Sequence, residues 1–306
     1  MSQRESGTNE FWEFSTLMTD NSQPPPAIIG DGILLRECLL LISGPPKVKK
    51  SFLAANLAIS LAHGRSFAGF KIEGPQRVML ISAEGGRTPN KKRLQQMWHS
   101  WPSPQIASGR FHGTFAWTQP LDSQEGENEL REALACYTPD VLILDPLVRF
   151  HQGEENSATD MGRFFRLLRG LMKEFHFAVI LIHHAGKNPD QGARGSSAIQ
   201  AEYDSAIQMK RTKDLVELVF DLRHEDTPPH RKLRFNTKTL WFESVNEGGV
   251  VQVARESASP MTRKDFAEKL RKEGLAGSRS NAYRMISDAE KARLIVERDL
   301  RIFLVD

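Results

Sequence analysis

Leu39-Leu40-Leu41-Ile42-Ser43-Gly44-Pro45-Pro46-Lys47-Val48-Lys49-Lys50-Ser51-Phe52 is the stretch whose reading decides the fold. Its aliphatic start makes a buried strand. The Gly/Pro/Lys segment makes a loop, and the Ala- and Leu-rich run from Phe52 to His63 makes a helix. Such a loop binds phosphate, because backbone N–H groups at the helix mouth converge on an anion. The usual spacing is Gly, four residues, Gly, Lys, then Ser or Thr. Gly44, Lys50 and Ser51 fit it, but Lys49 stands where the second glycine belongs. Glycine is favoured there for its backbone freedom. Lys49 adds positive charge near the phosphates. Residues 44–52 are therefore the candidate ATP-binding segment. In it Lys50 reaches the β- and γ-phosphates and the Ser51 hydroxyl binds Mg²⁺.

Working outward, short apolar runs alternate with longer helical segments. Strands are expected at 39–43, 78–82, 141–145, 179–183, 206–210, 216–222 and 238–244. Helices are expected at 51–63, about 88–100, 125–137 and 159–175. The first four strands have the continuous apolar character of buried parallel strands. Alternating βα units imply an α/β fold with a mainly parallel sheet flanked by helices. Ligands in such sheets bind at the carboxyl ends of the strands.

The other chemistry-bearing residues cluster at those ends. Val141-Leu142-Ile143-Leu144 runs into Asp145, a carboxylate able to hold Mg²⁺ beside Ser51; its plain alternative is a helix cap. Met79-Leu80-Ile81-Ser82-Ala83 leads to Glu84, placed to polarise a water in line with the γ-phosphate, or else an exposed loop carboxylate. Val179-Ile180-Leu181-Ile182 ends in His183-His184. Side chains alternate across a strand, so one imidazole of the pair faces a nucleotide; a metal site and a structural histidine are the rival readings. A Gly-rich basic loop follows, in which Lys187 and Arg194 could meet a DNA backbone, a neighbouring subunit's phosphates or only solvent.

Composition bounds the rest. The chain has 306 residues, 26% charged and 40% hydrophobic, with a formal net charge of +3, too small to argue for nucleic acid by itself. No apolar run approaches the roughly 18 residues of a membrane span, and the polar N-terminus does not read as a secretory signal. Cys38 and Cys136 read as reduced core residues of a cytoplasmic protein. Residues 1–26 read as an N-terminal arm in which Phe11, Trp12 and Phe14 could dock on the core or on a neighbour. Residues 246–260 read as a linker. In 261–306, Thr262 caps one helix, Ser278 or Ser280 caps a second, and two apolar runs flank a hairpin turn. That order reads as a winged helix-turn-helix. From Arg263 to Arg301 eleven Lys/Arg face seven Asp/Glu, and Arg279, Asn281, Tyr283, Arg284 and Arg293 sit on the second helix. This suits contact with DNA, or docking on a protein.

The order of motifs resembles a known group. Gly44-Pro-Pro-Lys-Val-Lys-Lys-Ser, Ala83-Glu84, Leu144-Asp145-Pro-Leu-Val-Arg149-Phe-His151 with Glu155-Asn156, His183-His184 and Arg194-Gly-Ser-Ser together resemble the RecA-like ATPases of the AAA-domain group. That group contains the RepA-type hexameric replicative helicases of plasmids and phages. The resemblance covers residues 27–245. It implies a ring-forming homo-oligomer, a hexamer, with ATP bound between subunits. It also implies Asp145 as the Mg²⁺ acid, Glu84 as catalytic base and His184 as γ-phosphate sensor. The segments after Asp145 and after His184 correspond to channel-facing loops. Some relatives carry an arginine finger shortly after the Arg-Gly-Ser-Ser segment; here Glu202-Tyr203-Asp204-Ser205 offers none, so Arg194 or Lys210-Arg211 would supply the charge. The reading is an ATP-dependent DNA motor. A DNA-binding ATPase that uses nucleotide only as an assembly switch is the alternative.

Overall fold

A computed structural model describes residues 12–22, 26–100, 109–184, 197–212, 214–245, 259–273, 275–291 and 294–304, with 250, 251, 253, 254 and 257. A short helix, α1 (Phe14–Thr19), buries none of its residues and leaves Trp12 and Phe14 exposed. Then follow β1 (Leu39–Gly44), α2 (Lys50–His63), β2 (Val78–Ser82), α3 (Arg87–His99), β3 (Phe111–Thr114), α4 (Gln124–Tyr137) and β4 (Val141–Asp145). A 3₁₀ turn (Leu147–Arg149) leads to α5 (Ala158–Phe175), β5 (Ala178–His184), α6 (Ser197–Glu202), β6 (Ser205–Thr212), β7 (Leu215–Leu222), β8 (Arg231–Phe235) and β9 (Phe242–Ser244).

These strands form one sheet in the order β3-β2-β4-β5-β1-β6-β7-β8-β9. From β3 to β6 the pairings are parallel; from β6 to β9 they are antiparallel. The strand alternation sorts side chains into two cores. Leu40, Ile42, Ile180 and Ile182 pack on one face with α2 and Met97 of α3. Leu39, Leu41, Val179 and Leu181 pack on the other with α4 and α5. α2 is buried on nearly every side, and its alanines let it lie close to the sheet. α5 shows one apolar face, Met161, Phe164, Phe165, Leu168, Leu171 and Met172. α2 stops at Gly64 in the left-handed region (φ 69°), where a Cβ would lie 2.4 Å from the Pro75 nitrogen.

The structure departs from the sequence reading in several places. The expected strand at 238–244 is only Phe242–Ser244, because Asn236 closes a turn by accepting from the Lys238 and Thr239 amides. β3 and β8 carry polar and glycine residues at alternate positions, so pattern reading passed over them. Cys38 is half-buried and Cys136 exposed, so the expectation that both are core residues fails: the outward side of α4 carries Cys136. Both are free thiols. No helix among the described residues is long and apolar enough to cross a membrane.

Beyond the main sheet, β10 (Met261–Thr262), α7 (Arg263–Lys272), α8 (Arg279–Lys291), β11 (Ile295–Arg298) and β12 (Arg301–Leu304) share a third core. Phe266, Leu270, Met285, Ile286, Ile295 and Ile302 fill it. Thr262 caps α7 by accepting from the Asp265 amide, and Ser278 accepts from the Asn281 amide at the start of α8. β10 pairs with β12, which the sequence reading did not anticipate. Arg263 ties α8 to β11 by donating to Glu290 (2.6 Å) and Glu297 (2.9 Å).

Candidate active site

The loop between β1 and α2 takes its shape from two lysines. Lys47 (φ 67°) and Lys49 (φ 71°) both adopt the left-handed region, which costs an L-residue with a side chain roughly 1–2 kcal/mol. Lys49 is therefore in a glycine-like conformation at the glycine position. Its side chain packs against two aromatic rings. The ammonium lies 4.2 Å from the Phe235 ring centroid and 5.2 Å from that of Phe52. The two rings meet edge to face at 5.0 Å. At the loop's start, a Cβ on Gly44 would come within 2.6 Å of the Met209 carbonyl oxygen, so β6 can approach only a glycine.

Lys50 opens α2 and is buried. Its Nζ donates to the Gly44 carbonyl (2.8 Å) and the Pro45 carbonyl (3.0 Å), curling back under the loop. Burial pulls its pKa down to about 8, against the opposing charges of Asp145 and Glu84. Asp145, at the end of β4, is buried, and burial pushes its pKa up to about 6. A hydrogen bond with Ser51 opposes that rise, the Glu84 charge adds to it, and Lys50 and Arg93 oppose it. Ser51 and Asp145 thus bring a hydroxyl and a carboxylate together beside the phosphate loop. Hard oxygen donors of this kind fit Mg²⁺. A dication there would offset the burial cost that Asp145 carries in its ionised form.

Glu84 follows β2 on a turn made by Gly85 (φ 80°) and Gly86 (φ 67°). The turn is clamped from below: the buried Asn90 amide of α3 donates to the Glu84 carbonyl (2.8 Å) and the Gly86 carbonyl (2.9 Å). The Glu84 carboxylate is half-exposed and pairs with Arg149 Nε at 3.6 Å. On β5 the histidines divide as strand alternation requires. His183 is fully buried and faces Glu155, whose Oε1 lies 3.8 Å from His183 Nδ1 and 3.8 Å from His151 Nε2. His184 faces the other way. Burial lowers its pKa, the Lys50 charge lowers it further, and Glu84 and Glu155 oppose. Its buried Nδ1 has no hydrogen-bond partner among the described residues, a polar atom that a phosphate oxygen or a water could meet.

Lys50, Ser51, Glu84, Asp145 and His184 therefore converge at the carboxyl ends of β1, β2, β4 and β5. Phe52 lines a cleft beside them with Ser51, Asn90, Arg93 and Asp145. Lys187 and Arg194 lie outside the described residues. Lys210 and Arg211 are exposed on β6, past the point where it runs alongside the end of β1. The sequence reading passed over Asn90, and it quoted Arg149 and Glu155 within a motif without giving either a role. Asn90 left a trace, since it shares the inward face of α3 with Leu94 and Met97. The contacts of Arg149 and Glu155 left none, because only the return of the chain from β4 to β5 brings these side chains to Glu84 and His183.

Comparison with known proteins follows the same lines. A family described as an AAA domain matches residues 4–190. No curated protein matches the sequence. A solved ATPase domain superposes with a TM-score of 0.54 at 15% identity, covering 75% of this chain and 95% of the other. A DnaB-like replicative helicase, solved in a study of its interactions with primase, gives 0.52 at 17% identity over 68% of this chain and 57% of that one. At such identities the likeness is one of fold. The chain belongs to the AAA-domain family of P-loop ATPases and has the RecA-like fold.

Proposed function

We propose that this chain is an ATP-dependent DNA motor, a ring-forming ATPase of the replicative-helicase kind that hydrolyses ATP at subunit interfaces. The observation that carries the reading is the meeting of Lys50, Ser51, Asp145, Glu84 and His184 at the carboxyl ends of the central strands. In this reading residues 44–52 and Lys50 hold the phosphates, and Ser51 and Asp145 hold Mg²⁺. The metal supplies charge stabilisation at the transferring phosphoryl group. Glu84 orients the attacking water and takes its proton. His184 Nδ1 contacts the γ-phosphate and reports its presence to the segment that follows β5. Arg194 or Lys210-Arg211 supplies the charge from a neighbouring subunit, in a hexameric ring.

The proposed organisation is an N-terminal arm (1–26), an ATPase domain (27–245), a linker (246–260) and a winged helix-turn-helix (261–306), in a cytoplasmic protein. The order of α7, α8, β11 and β12 supports the last assignment, with Arg279, Asn281 and Arg284 of α8 meeting DNA. An assembly-switch ATPase is the second reading. What favours it is Lys49 in the glycine position, and Asp204 committed to Arg169 and the Leu39 amide where a finger would otherwise lie.

Two measurements decide between them. A motor hydrolyses ATP faster with single-stranded DNA, and sediments as a larger species with ATP and Mg²⁺. Mixing wild-type with Glu84→Gln subunits then depresses activity more than in proportion to dose. A protein that stays monomeric with ATP and DNA, yet hydrolyses at full rate, removes the ring motor and leaves the switch.

A further inference from the structure

Among the described residues, the turn after β4 carries the one ion pair to Glu84's carboxylate, and the proposed mechanism does not use it. Arg149 ends the 3₁₀ turn Leu147–Arg149, and its Nε lies 3.6 Å from Glu84 Oε1. That distance is an ion pair but not a hydrogen bond. Both side chains reach solvent, with Arg149 59% and Glu84 46% exposed. A pair of this kind is weak and salt-sensitive, worth roughly a two- to fivefold bias in a population. It is therefore a contact that a stronger anion can take over. A phosphodiester oxygen, accepting a direct charged hydrogen bond from a guanidinium, is such an anion.

The surroundings favour a polyanion. Glu84 leads directly into α3, which carries Arg87, Lys91, Lys92 and Arg93 and no acidic residue. All four are exposed. Val148, beside Arg149, is also exposed, so the tip of the turn is open to a large ligand. The base of the same segment is fixed, since Phe150 is fully buried and Glu155 lies against the buried His151 and His183. Arg149 is thus an accessible cation on an anchored turn, and Glu84 is its only ion-pair partner among the described residues.

We infer that Arg149 is a positioning residue that restrains the Glu84 carboxylate in the absence of nucleic acid, and that a nucleic-acid phosphate displaces Glu84 from Arg149 and so releases it to orient water. This rests on the reading of Glu84 as the base. It adds a route by which DNA bound at the turn raises the rate of hydrolysis, without any rearrangement of Lys50, Ser51 or Asp145.

The test compares wild-type, Arg149→Gln, Arg149→Lys, Glu84→Gln and the double variant as full-length chains. In the nucleotide-free protein, binding of a labelled single-stranded oligonucleotide is measured across a salt series. Glu84→Gln tightens binding about threefold, because it frees Arg149. Arg149→Gln weakens binding and lowers the salt slope by about one. The Glu84→Gln gain disappears when Arg149 is already Gln. In turnover without DNA, Arg149→Gln raises kcat about threefold with KM unchanged and shrinks the stimulation by DNA; Arg149→Lys restores part of the restraint. Unchanged oligonucleotide affinity in Glu84→Gln, no oligonucleotide binding at all, or a fall in basal kcat in Arg149→Gln overturns the inference. Wild-type turnover in Glu84→Gln overturns the base assignment instead, and the nucleotide-free binding cycle still reads the Arg149 contact.

Discussion

The Lys49 ammonium lies 4.2 Å from the ring centroid of Phe235, a residue at the end of β8 and 186 positions away in sequence. The residue that breaks the phosphate-loop spacing is thus held by the far side of the sheet. A cation over an aromatic face contributes roughly 0.5–2 kcal/mol, comparable to the cost of the left-handed backbone at Lys49. The two effects offset each other. The loop keeps a glycine-like path without glycine because the side chain has a place to go.

Lys49→Gly therefore leaves ATP affinity within about tenfold of wild type, or ~1.4 kcal/mol, in a fluorescence titration. It relieves the backbone strain and forfeits the ring contact. Loss of all binding would show instead that Lys49 is itself a phosphate ligand.

Lys50→Ala and Glu84→Gln separate binding from turnover. The first removes a buried cation and weakens ATP binding. The second preserves the turn that Asn90 holds through the Glu84 and Gly86 carbonyls, so binding persists while hydrolysis stops. Equilibrium binding and steady-state turnover, measured side by side, check both. Wild-type turnover in Glu84→Gln would remove Glu84 from the role of base.

Asp145→Asn stabilises the nucleotide-free protein while weakening Mg²⁺-dependent ATP binding. Burial raises the Asp145 pKa from 3.8 to about 6. The folded state therefore holds its proton where the unfolded chain has lost it. Asp145's contribution to stability is fully present below pH ~4, declines as pH rises to about 6, and stays lost above that. The loss is about 3 kcal/mol by linkage. Denaturant melts at pH 8 should show the Asn variant more stable than wild type, with the difference shrinking towards pH 4. For the same reason, Mg²⁺-dependent ATP binding by the wild type falls as pH drops below about 6.

Arg279→Ala and Arg284→Ala each weaken duplex DNA binding and lower its salt slope by about one, if α8 lies against a DNA backbone. Both residues sit in the first turns of α8, near Ser278. Unchanged binding in the double variant, with the helix content intact, would assign this region to protein docking.

The sequence alone determined the central strands and the identity of the loop. Runs such as Val78–Ser82 and Val141–Asp145 are continuous apolar stretches bounded by polar residues, and they read correctly to the residue. Their burial on both faces leaves no alternation to misread. The acids and histidines at their ends were legible too, because strand ends and catalytic edges coincide in a parallel sheet. β3 and β8 were not legible, since their Phe-His-Gly-Thr and Arg-Lys-Leu-Arg-Phe patterns carry little apolar signal and depend on neighbours for pairing.

Only the tertiary structure decided where the long side chains point. His183 and His184 are adjacent in sequence, yet one meets Glu155 and the other the surroundings of Lys50. Arg149 reaches Glu84, and Lys49 turns to Phe235, across distances no local pattern encodes. Local propensity acts over a few residues and fixes strands, loops and caps. The partners of a charged side chain are set by burial and by what the folded chain brings within a few ångströms, so they exist only once the sheet has closed.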